Sequence, residues 1–344
     1  MVTQAKWNRP CFVHVGTHKT GTSALQAYLG ANDLLLASQG FLYPKCGRWS
    51  PAMAGQHNVA MEISDDERFD RTLGTLAELL AEMRLSTLPA ACISSEAFQF
   101  VHDRPERLAR LRDGIRSAGY EPVLVVYLRS QSEYLESLYG TLVNHGYHLS
   151  FRRYFQDALA TGVVRYREVR SYRFDYDALL AHYASVFGES NTVARPYAQN
   201  EDPGALLRDF FTTIGLDERT VADSVPPPER LNTRRDLLQV MRRLLSNAGV
   251  VPGDATQRLM RLCESLQPNG SPTAFRPLDE EDAVALNTRF EAGNRQVRER
   301  WGVAVEAATL ELQRRRRSSS LDPLMQAGRA LMRSVESDLA PLTL

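Results

Sequence analysis

The sequence predicts an α/β protein with a mostly parallel central sheet flanked by helices, followed by a helical C-terminal extension. Two observations lead to this class. Short apolar runs, of which residues 11–16 and 122–128 are the clearest, alternate with segments of helical periodicity. The runs are apolar along their whole length, which is typical of strands buried on both faces of a parallel sheet.

The first predicted strand covers residues 11–16 and ends in glycine, and a helix over residues 23–31 follows with Leu25 and Leu29 on one face. Three further pairs of a helix and a strand are predicted over residues 73–84 and 90–94, 105–118 and 122–128, and 177–187 and 191–197. Ligands of such sheets bind beyond the carboxyl ends of the strands. We therefore expect Lys19, Glu96 and Arg129, which follow three of these strands, to lie on one rim.

The chain beyond residue 203 is predicted to be mostly helical. Its helices should be broken at residues 226–228, 252–253 and 267–277. The predicted organisation is an α/β core over 1–215, a helical region packing on the core over 216–312, and a basic run with an amphipathic helix over 313–344. The last helix is expected to pack on its own domain or to form a homodimer, and the alternative is a peripheral contact with a membrane or partner.

Composition excludes several classes of function. Basic and acidic residues both number 41, so nucleic acid is not an expected partner and any anion site must be local. The four cysteines show no spacing typical of a zinc site, and no metal is expected. The chain carries no recognisable secretory leader or membrane-spanning run, so a cytoplasmic location is expected.

The loop between the first strand and the first helix is predicted to bind an anion. A loop that enters a helix directly presents free N–H groups and the positive end of the helix dipole. Glycines allow a close backbone approach, hydroxyls add donors, and a lysine adds charge. The residues of this cradle are Gly16, His18, Lys19, Thr20, Gly21, Thr22 and Ser23, and the alternative is an ordinary turn capped by Thr22 or Ser23. Lys19 is one of only three lysines, with Lys6 and Lys45.

The pattern differs from that of a nucleoside triphosphatase. In the Walker A motif the lysine follows the last glycine, whereas Lys19 precedes Gly21. The strand over residues 122–128 is followed by Arg129 instead of a magnesium-binding aspartate. Ser137 lies eight positions later, which is about two helical turns, so it can share a face with Arg129. The two side chains can then form a second phosphate site. The alternative is that this pair only caps and packs the helix.

These features together resemble the sulfotransferases that use 3′-phosphoadenosine 5′-phosphosulfate, and the bacterial and carbohydrate-type members in particular. The resemblance rests on K-T-G-T-S after a strand, and on an apolar strand that ends in L-R with a serine eight residues after the arginine. It covers about residues 11–215, including 207–216, and thins out afterwards apart from residues 290–302. The family has a P-loop-like fold with a nucleotide site.

The resemblance implies a role for each matching residue. The segment from Lys19 to Ser23 would hold the 5′-phosphosulfate of the donor, and Arg129 with Ser137 would hold the 3′-phosphate. Lys19 would also neutralise the charge that develops on the bridging oxygen. The implied activity is transfer of a sulfuryl group to a hydroxyl or amine of a small molecule or glycan.

Two residues compete as the base that takes the acceptor's proton. Glu96 follows a strand on the expected rim, and His57 lies in a region from which some carbohydrate sulfotransferases project a catalytic carboxylate. Histidine titrates close to neutral pH, whereas a carboxylate needs a pKa raised by burial to be an efficient base. Position favours Glu96, the two can act as a pair, and His18 is a third candidate that is expected mainly to shape the loop.

The acceptor mouth is expected to be formed by loops that carry Arg48, Trp49, Tyr147 and His148, because an aromatic platform beside arginine suits a sugar, especially an anionic one. Alternatively, Trp49 only anchors its loop. Two rival functions are open. A P-loop kinase or nucleoside triphosphatase would bind ATP with Mg²⁺, and a non-catalytic partner-binding protein would bind nucleotide without turnover.

Overall fold

A computed structural model describes residues 7–18, 20–51, 53–197, 204–216, 236–267, 275–305 and 323–343. The central sheet is built from strands β1 (Pro10–Gly16), β2 (Phe41–Leu42), β3 (Ala90–Ser94), β4 (Glu121–Leu128) and β7 (Thr192–Pro196). All five strands are parallel, in the order β2-β3-β1-β4-β7. A separate antiparallel hairpin pairs β5 (Val163–Tyr166) with β6 (Arg170–Arg173). The predicted α/β class and its mostly parallel sheet are confirmed.

Helices cover both faces of the sheet and continue into the C-terminal region. In the first part of the chain they are α1 (Thr22–Ala31), α2 (Asp33–Ser38), α3 (His57–Ser64), α4 (Leu76–Leu85), α5 (Pro105–Ser117), α6 (Gln131–Asn144), α7 (Phe151–Thr161), α8 (Tyr176–Phe187) and α9 (Ala205–Ile214). The later helices are α10 (Leu237–Ala248), α11 (Asp254–Leu266), α12 (Glu280–Trp301) and α13 (Pro323–Leu339). The predicted breaks at 252–253 and 267–277 do separate helices, and residues 226–228 lie outside the described part of the chain.

Strand β1 lies at the centre of the sheet and is buried along its whole length. Its alternate side chains enter two different cores. Cys11, Val13 and Val15 pack with the helices α3, α4, α5, α6 and α8 on one face, whereas Phe12 packs with α1, α2 and α9 on the other. Burial of one such aliphatic side chain contributes about 1.5–3 kcal/mol, so β1 is a rigid base for whatever follows it.

The carboxyl ends of three strands meet at one edge of the sheet. In the register, His14 of β1 lies beside Ser94 of β3, and Gly16 of β1 lies beside Tyr127 of β4. The chain winds from β1 towards β2 and later crosses back over β1 to β4, so the helices on the two faces diverge at β1. This edge is the switch point at which ligands of open α/β sheets bind.

The helical region after residue 236 packs on the α/β core. Helix α10 contacts α6, and α12 contacts α6 and α8. Buried Gln131 and Asn294 exchange two amide hydrogen bonds of 2.7 and 3.2 Å, which join the first residue of α6 to the middle of α12. The boundaries predicted for the three regions stay predictions.

The apolar stripe of the C-terminal helix α13 is covered by the chain's own helices. Leu331 and Val335 are fully buried, and α13 packs on α10 and α11. Asp338 accepts hydrogen bonds from the hydroxyl of Thr256 and the backbone N–H of Gly253 at 2.6 and 3.1 Å. A homodimer or membrane contact through this helix would therefore need another surface, and it stays a prediction. Residues 313–322, with the basic run, lie outside the described residues.

The described helices were also compared with the length and hydropathy that a membrane span requires. None of those within the described ranges is both long and apolar enough to cross a bilayer.

Candidate functional site

The loop after β1 leaves the N-terminus of α1 without a side-chain cap in the described part of the chain. Gly21 occupies the N-cap position with φ of +75°, and its carbonyl accepts the N–H groups of Ala24 and Leu25 at 3.1 and 3.2 Å. The alternative prediction, in which Thr22 or Ser23 caps α1, is therefore wrong. The first N–H groups of α1 are thus left without a side-chain cap, which is the arrangement that an anion site at a helix terminus needs.

Two threonines tie the loop to the sheet. Thr17 donates its hydroxyl hydrogen bond to the carbonyl of Tyr127 in β4 at 2.9 Å, and Thr20 donates to the carbonyl of Thr17 at 2.7 Å. Both side chains are buried. The backbone at Thr17 and Thr20 is consequently held in place without a ligand, which reduces the ordering cost of binding.

Thr22 offers a buried hydroxyl to the same space. Its side-chain oxygen is excluded from solvent and has no hydrogen-bond partner among the described residues. A Cβ added to Gly16 would lie 2.5 Å from this oxygen, and one added to Gly21 would lie 2.6 Å from Leu206. An unpartnered buried hydroxyl is costly unless a ligand satisfies it, so Thr22 fits an anion in this cradle. Lys19 lies outside the described residues.

A second anion-receptive place follows β4. Arg129 is only 6% exposed, and its Cζ lies 5.6 Å from the ring centre of Tyr197. Ser130 is the N-cap of α6, and its buried hydroxyl has no partner among the described residues. The free end of a helix of 14 residues, a guanidinium and an unused hydroxyl therefore converge beside the first loop.

The predicted pairing of Arg129 with Ser137 is modified by Glu133. The Arg129 Nε donates to the Glu133 carboxylate at 3.2 Å, and both side chains are almost completely buried. Glu133 lies one helical turn before Ser137 on the same row of α6, since residues four apart share a face. Ser137 itself is half-buried. Its role as a phosphate ligand stays a prediction, whereas Ser130 is a residue that the sequence pattern did not single out.

Glu96 and His57 come together at the end of β3. The Nδ1 of His57 lies 3.8 Å from the Glu96 carboxylate, although the two residues belong to different elements. The His57 side chain is 7% exposed and that of Glu96 is 23% exposed. Glu96 therefore presents its carboxylate to the rim, and His57 lies behind it at the start of α3. The two candidate bases therefore lie together, and their joint action as a base stays a prediction.

Gln26 of α1 forms hydrogen bonds with both residues of this pair. Its amide nitrogen donates to the Glu96 carboxylate at 3.1 Å, and its amide oxygen lies 3.1 Å from Nε2 of His57. This pattern places a proton on His57 Nε2, while Nδ1 faces the hydroxyl of Ser95 at 2.9 Å. The two side chains that orient the Glu96 carboxylate, those of Gln26 and His57, are therefore themselves held by hydrogen bonds.

The electrostatics of Glu96 differ from the sequence-based expectation. Burial alone would raise the pKa of the Glu96 carboxyl, but the charges of His57 and His18, together with hydrogen bonds from its own backbone N–H and from Gln26, lower the pKa to about 2. The expectation that an efficient carboxylate base needs a raised pKa is thus not met by the protein alone. Glu96 is an ionised hydrogen-bond acceptor at working pH, and such a weak base takes a proton only from a partner whose own proton becomes strongly acidic.

His14 extends the network into the core. Its Nδ1 lies 2.8 Å from the hydroxyl of Ser94, which also accepts from Gln26 at 3.2 Å. Burial lowers the pKa of His14 from 6.5 to about 4, although nearby Glu96 acts in the opposite direction. The His14 Nε2 is buried and has no partner among the described residues. His14 is therefore neutral in the folded protein at pH 7.

We expect His14 to make folding stability depend on pH. Below pH 6.5 His14 is protonated in the unfolded chain, whereas in the folded protein it stays neutral down to about pH 4. The free energy of unfolding therefore decreases as the pH is lowered from 6.5 to 4. Going from pH 7 to pH 5 should cost about 2 kcal/mol through this group. Urea denaturation at both pH values should show that the free energy of unfolding decreases by about 2 kcal/mol less in His14→Gln than in wild-type protein. An unchanged drop would contradict the buried neutral state.

His18 is fixed by contacts that shape the loop. Its Nδ1 lies 3.1 Å from the amide oxygen of Gln99, and its ring stacks on Phe100 at 5.3 Å and meets Tyr172 edge-on at 5.0 Å. Gln99 also accepts the backbone N–H of His18 at 3.4 Å. These contacts favour the shaping role that was expected for His18 over a role as base.

One of the four residues predicted at the acceptor mouth stabilises its own loop instead. Arg48 donates to the carbonyls of Tyr43 and Pro44 and pairs with Asp33 at 3.2 Å. Tyr147 is a buried core aromatic, and His148 is exposed. Both follow the C-terminus of α6, and their place at the acceptor mouth stays a prediction.

Trp49 does lie near the candidate site. Its ring centre is 5.6 Å from that of His57, and the guanidinium carbon of Arg68 is 5.9 Å from its ring. The indole N–H is buried and has no acceptor among the described residues. Arg68 is the basic residue beside the aromatic platform, in the place where the sequence suggested Arg48.

Comparison with known proteins adds no assignment. The chain matches no protein-family model and no curated protein. No group of three or more histidine, cysteine, aspartate or glutamate residues within the described ranges could hold a metal ion. The function of the rim therefore has to follow from the chemistry of its own residues.

Proposed function

We propose that the protein transfers a sulfuryl group from 3′-phosphoadenosine 5′-phosphosulfate to a hydroxyl or amine of a carbohydrate or another small metabolite. One observation carries the proposal. The N-termini of α1 and α6 have no side-chain cap and follow adjacent strands, and each holds a buried hydroxyl without a partner among the described residues, Thr22 and Ser130. A donor with separate phosphates at its 5′ and 3′ positions fits two such places better than one triphosphate chain does.

The chain's own residues have distinct tasks in this proposal. The loop from Gly16 to Ser23 holds the 5′-phosphosulfate through backbone N–H groups and the Thr22 hydroxyl. Arg129 and Ser130 hold the 3′-phosphate at the start of α6, with Ser137 as a further predicted ligand. A P-loop-like sulfotransferase fold, which the resemblance implies, is compatible with the parallel sheet and with a site at the end of β1.

The bound donor supplies an electrophilic sulfur and a stable phosphate leaving group. The acceptor oxygen or nitrogen forms the new bond to sulfur while the bond from sulfur to the bridging oxygen breaks. Glu96 accepts the hydrogen bond of the acceptor and takes its proton as attack proceeds. Lys19 is assigned by the resemblance to neutralise the bridging oxygen. His57 and Gln26 are positioning residues, because they hold the Glu96 carboxylate.

Calorimetric titration tests the donor assignment. Wild-type protein should bind adenosine 3′,5′-bisphosphate at least about tenfold more tightly than AMP, since an arginine and a buried hydroxyl await the 3′-phosphate. Ser130→Ala should reduce this difference, and Lys19→Ala should weaken binding of both nucleotides. Ser117→Ala, which removes an exposed hydroxyl on α5, is the matched control.

Two outcomes would overturn the donor assignment. Preference for ATP with Mg²⁺ would favour a kinase or nucleoside triphosphatase, and equal affinity for the bisphosphate and AMP would remove the second phosphate site. Tight bisphosphate binding with no transfer to any hydroxyl would favour the non-catalytic partner-binding protein.

A further inference from the structure

A cluster of opposite charges lies beside the Glu96 and His57 pair. Asp66 is fully buried and accepts two hydrogen bonds from Arg170, at 2.8 and 3.1 Å, and two from the Arg68 guanidinium, at 2.8 and 2.9 Å. Burial alone would raise the pKa of Asp66, but these guanidinium groups lower it far below its usual range. Asp66 is therefore a permanent carboxylate that two arginines share.

The cluster carries an excess positive charge. Its three arginines, Arg68, Arg167 and Arg170, face two carboxylates, Asp66 and Glu67, so the net charge is +3 − 2 = +1. Arg170 is 6% exposed and bonds Asp66 through two nitrogens, so it satisfies that carboxylate by itself. Arg68 and Arg167 are the accessible cations, with 36% and 47% of their side chains exposed, and Arg68 is the one that lies beside Trp49.

Arg68 retains hydrogen-bonding capacity. Its Nε and Nη2 donate to Asp66, whereas its Nη1 has no hydrogen-bond partner within the described ranges. A guanidinium with a free edge can bind a carboxylate or sulfate through two parallel hydrogen bonds. The firm hold of Arg170 on Asp66 leaves Arg68 able to turn towards a ligand without leaving that buried carboxylate unpaired.

The position of Arg68 relates it to the reaction. It lies beside Trp49, which contacts His57, and His57 lies behind the Glu96 carboxylate. The charges of Arg170, Arg68 and Asp66 also act on Tyr172, whose ring meets His18 of the donor loop at 5.0 Å. A chain of contacts therefore joins Arg68 to the Glu96 carboxylate through Trp49 and His57.

We propose that Arg68 recognises an anionic substituent of the acceptor, and that the acceptor is an acidic saccharide whose ring lies on Trp49. The inference rests on the proposed sulfuryl transfer and deepens it by naming the acceptor class. The aromatic face provides a flat apolar platform for a sugar ring, and the excess cation beside it selects a carboxylate or sulfate. It also holds that anion away from the Glu96 carboxylate, which would otherwise repel it.

A matched pair of probes tests the proposal. The β-D-glucuronide and β-D-glucoside of p-nitrophenol differ by a carboxylate in place of a hydroxymethyl group. Their binding to the protein saturated with adenosine 3′,5′-bisphosphate is measured by calorimetry. Wild-type protein should bind the glucuronide at least about tenfold more tightly, and added salt should reduce the difference. Arg68→Gln should remove the preference and leave glucoside affinity unchanged, whereas Arg68→Lys should keep part of it.

Controls separate the possible failures. Arg84→Gln, which removes an exposed arginine of α4, should keep the full preference. Equal affinity of wild-type protein for both probes, no binding of either probe, or an equal loss of both in Arg68→Gln would overturn the proposal. Adenosine 3′,5′-bisphosphate is titrated separately into the same variants. Failure of that titration in wild-type protein would contradict the sulfotransferase assignment itself, whereas failure of the glucuronide preference alone would contradict only the acceptor class.

Discussion

Replacement of Glu96 by glutamine should lower kcat for sulfuryl transfer by at least about 100-fold, within the range that general base catalysis contributes. The amide oxygen still accepts the hydrogen bond from Gln26, so the local geometry is retained while the proton acceptor is lost. Affinity for adenosine 3′,5′-bisphosphate should change by less than about threefold. The measurement is release of the bisphosphate with the wild-type protein's fastest acceptor from a panel of p-nitrophenyl glycosides.

Two comparisons make the Glu96 result specific. Glu106→Gln, at an exposed position in the first turn of α5, should leave kcat unchanged. His57→Asn should cause a smaller loss and alter the pH profile, because it removes a positioning group and a nearby charge that lowers the pKa of Glu96. A loss below about tenfold in Glu96→Gln would mean that another group accepts the proton.

Replacement of Arg129 by alanine should destabilise the fold and weaken donor binding at the same time. Removal of one partner from a buried ion pair costs about 3–5 kcal/mol, because the remaining Glu133 carboxylate is left in a water-poor site. The bisphosphate should also bind at least about tenfold more weakly, since a charge-assisted hydrogen bond is lost. Urea denaturation and calorimetry measure the two effects separately.

The double variant Arg129→Ala with Glu133→Gln distinguishes the two roles. Neutralising Glu133 should restore most of the stability, but it cannot replace the arginine as a phosphate ligand. Binding that returns to the wild-type level in the double variant would show that Arg129 is only structural. The single variant Glu133→Gln completes the cycle, and it should bind the bisphosphate at least as tightly as wild type because it removes a carboxylate from beside the phosphate.

Local pattern was sufficient to predict the strands and the loop of the site. Residues 11–16, 90–94 and 122–128 are strands as expected, because each apolar run is short and bounded by polar or glycine residues. The rule that ligands bind at carboxyl ends then placed Glu96 and Arg129 on one rim. The two-residue strand β2 and the hairpin β5 and β6 are too short or too polar to show a clear period.

The contacts that orient the site residues depend on packing between distant elements, so the sequence pattern alone could not predict them. Gln26 is one polar residue on a helix, and nothing in its spacing shows that it joins Glu96 to His57. The sequence pattern likewise does not show that α6 extends for 14 residues, or that Tyr147 beyond it is a core aromatic. The pairing of Arg129 with Glu133 was visible as a spacing of four residues, a signal that sequence analysis can use.

If α6 binds the proposed donor, the amide pair between Gln131 and Asn294 links donor affinity thermodynamically to the docking of α12. Gln131 directly follows Ser130 at the start of α6, and Asn294 belongs to α12 of the C-terminal region. A ligand that binds the start of α6 more tightly when α12 is docked also stabilises the docked position of α12. Conversely, docking of α12 increases the affinity for that ligand by the same factor. Under the proposed function, α12 is therefore an energetic component of the nucleotide site, although Asn294 lies 163 positions beyond Gln131 in the chain.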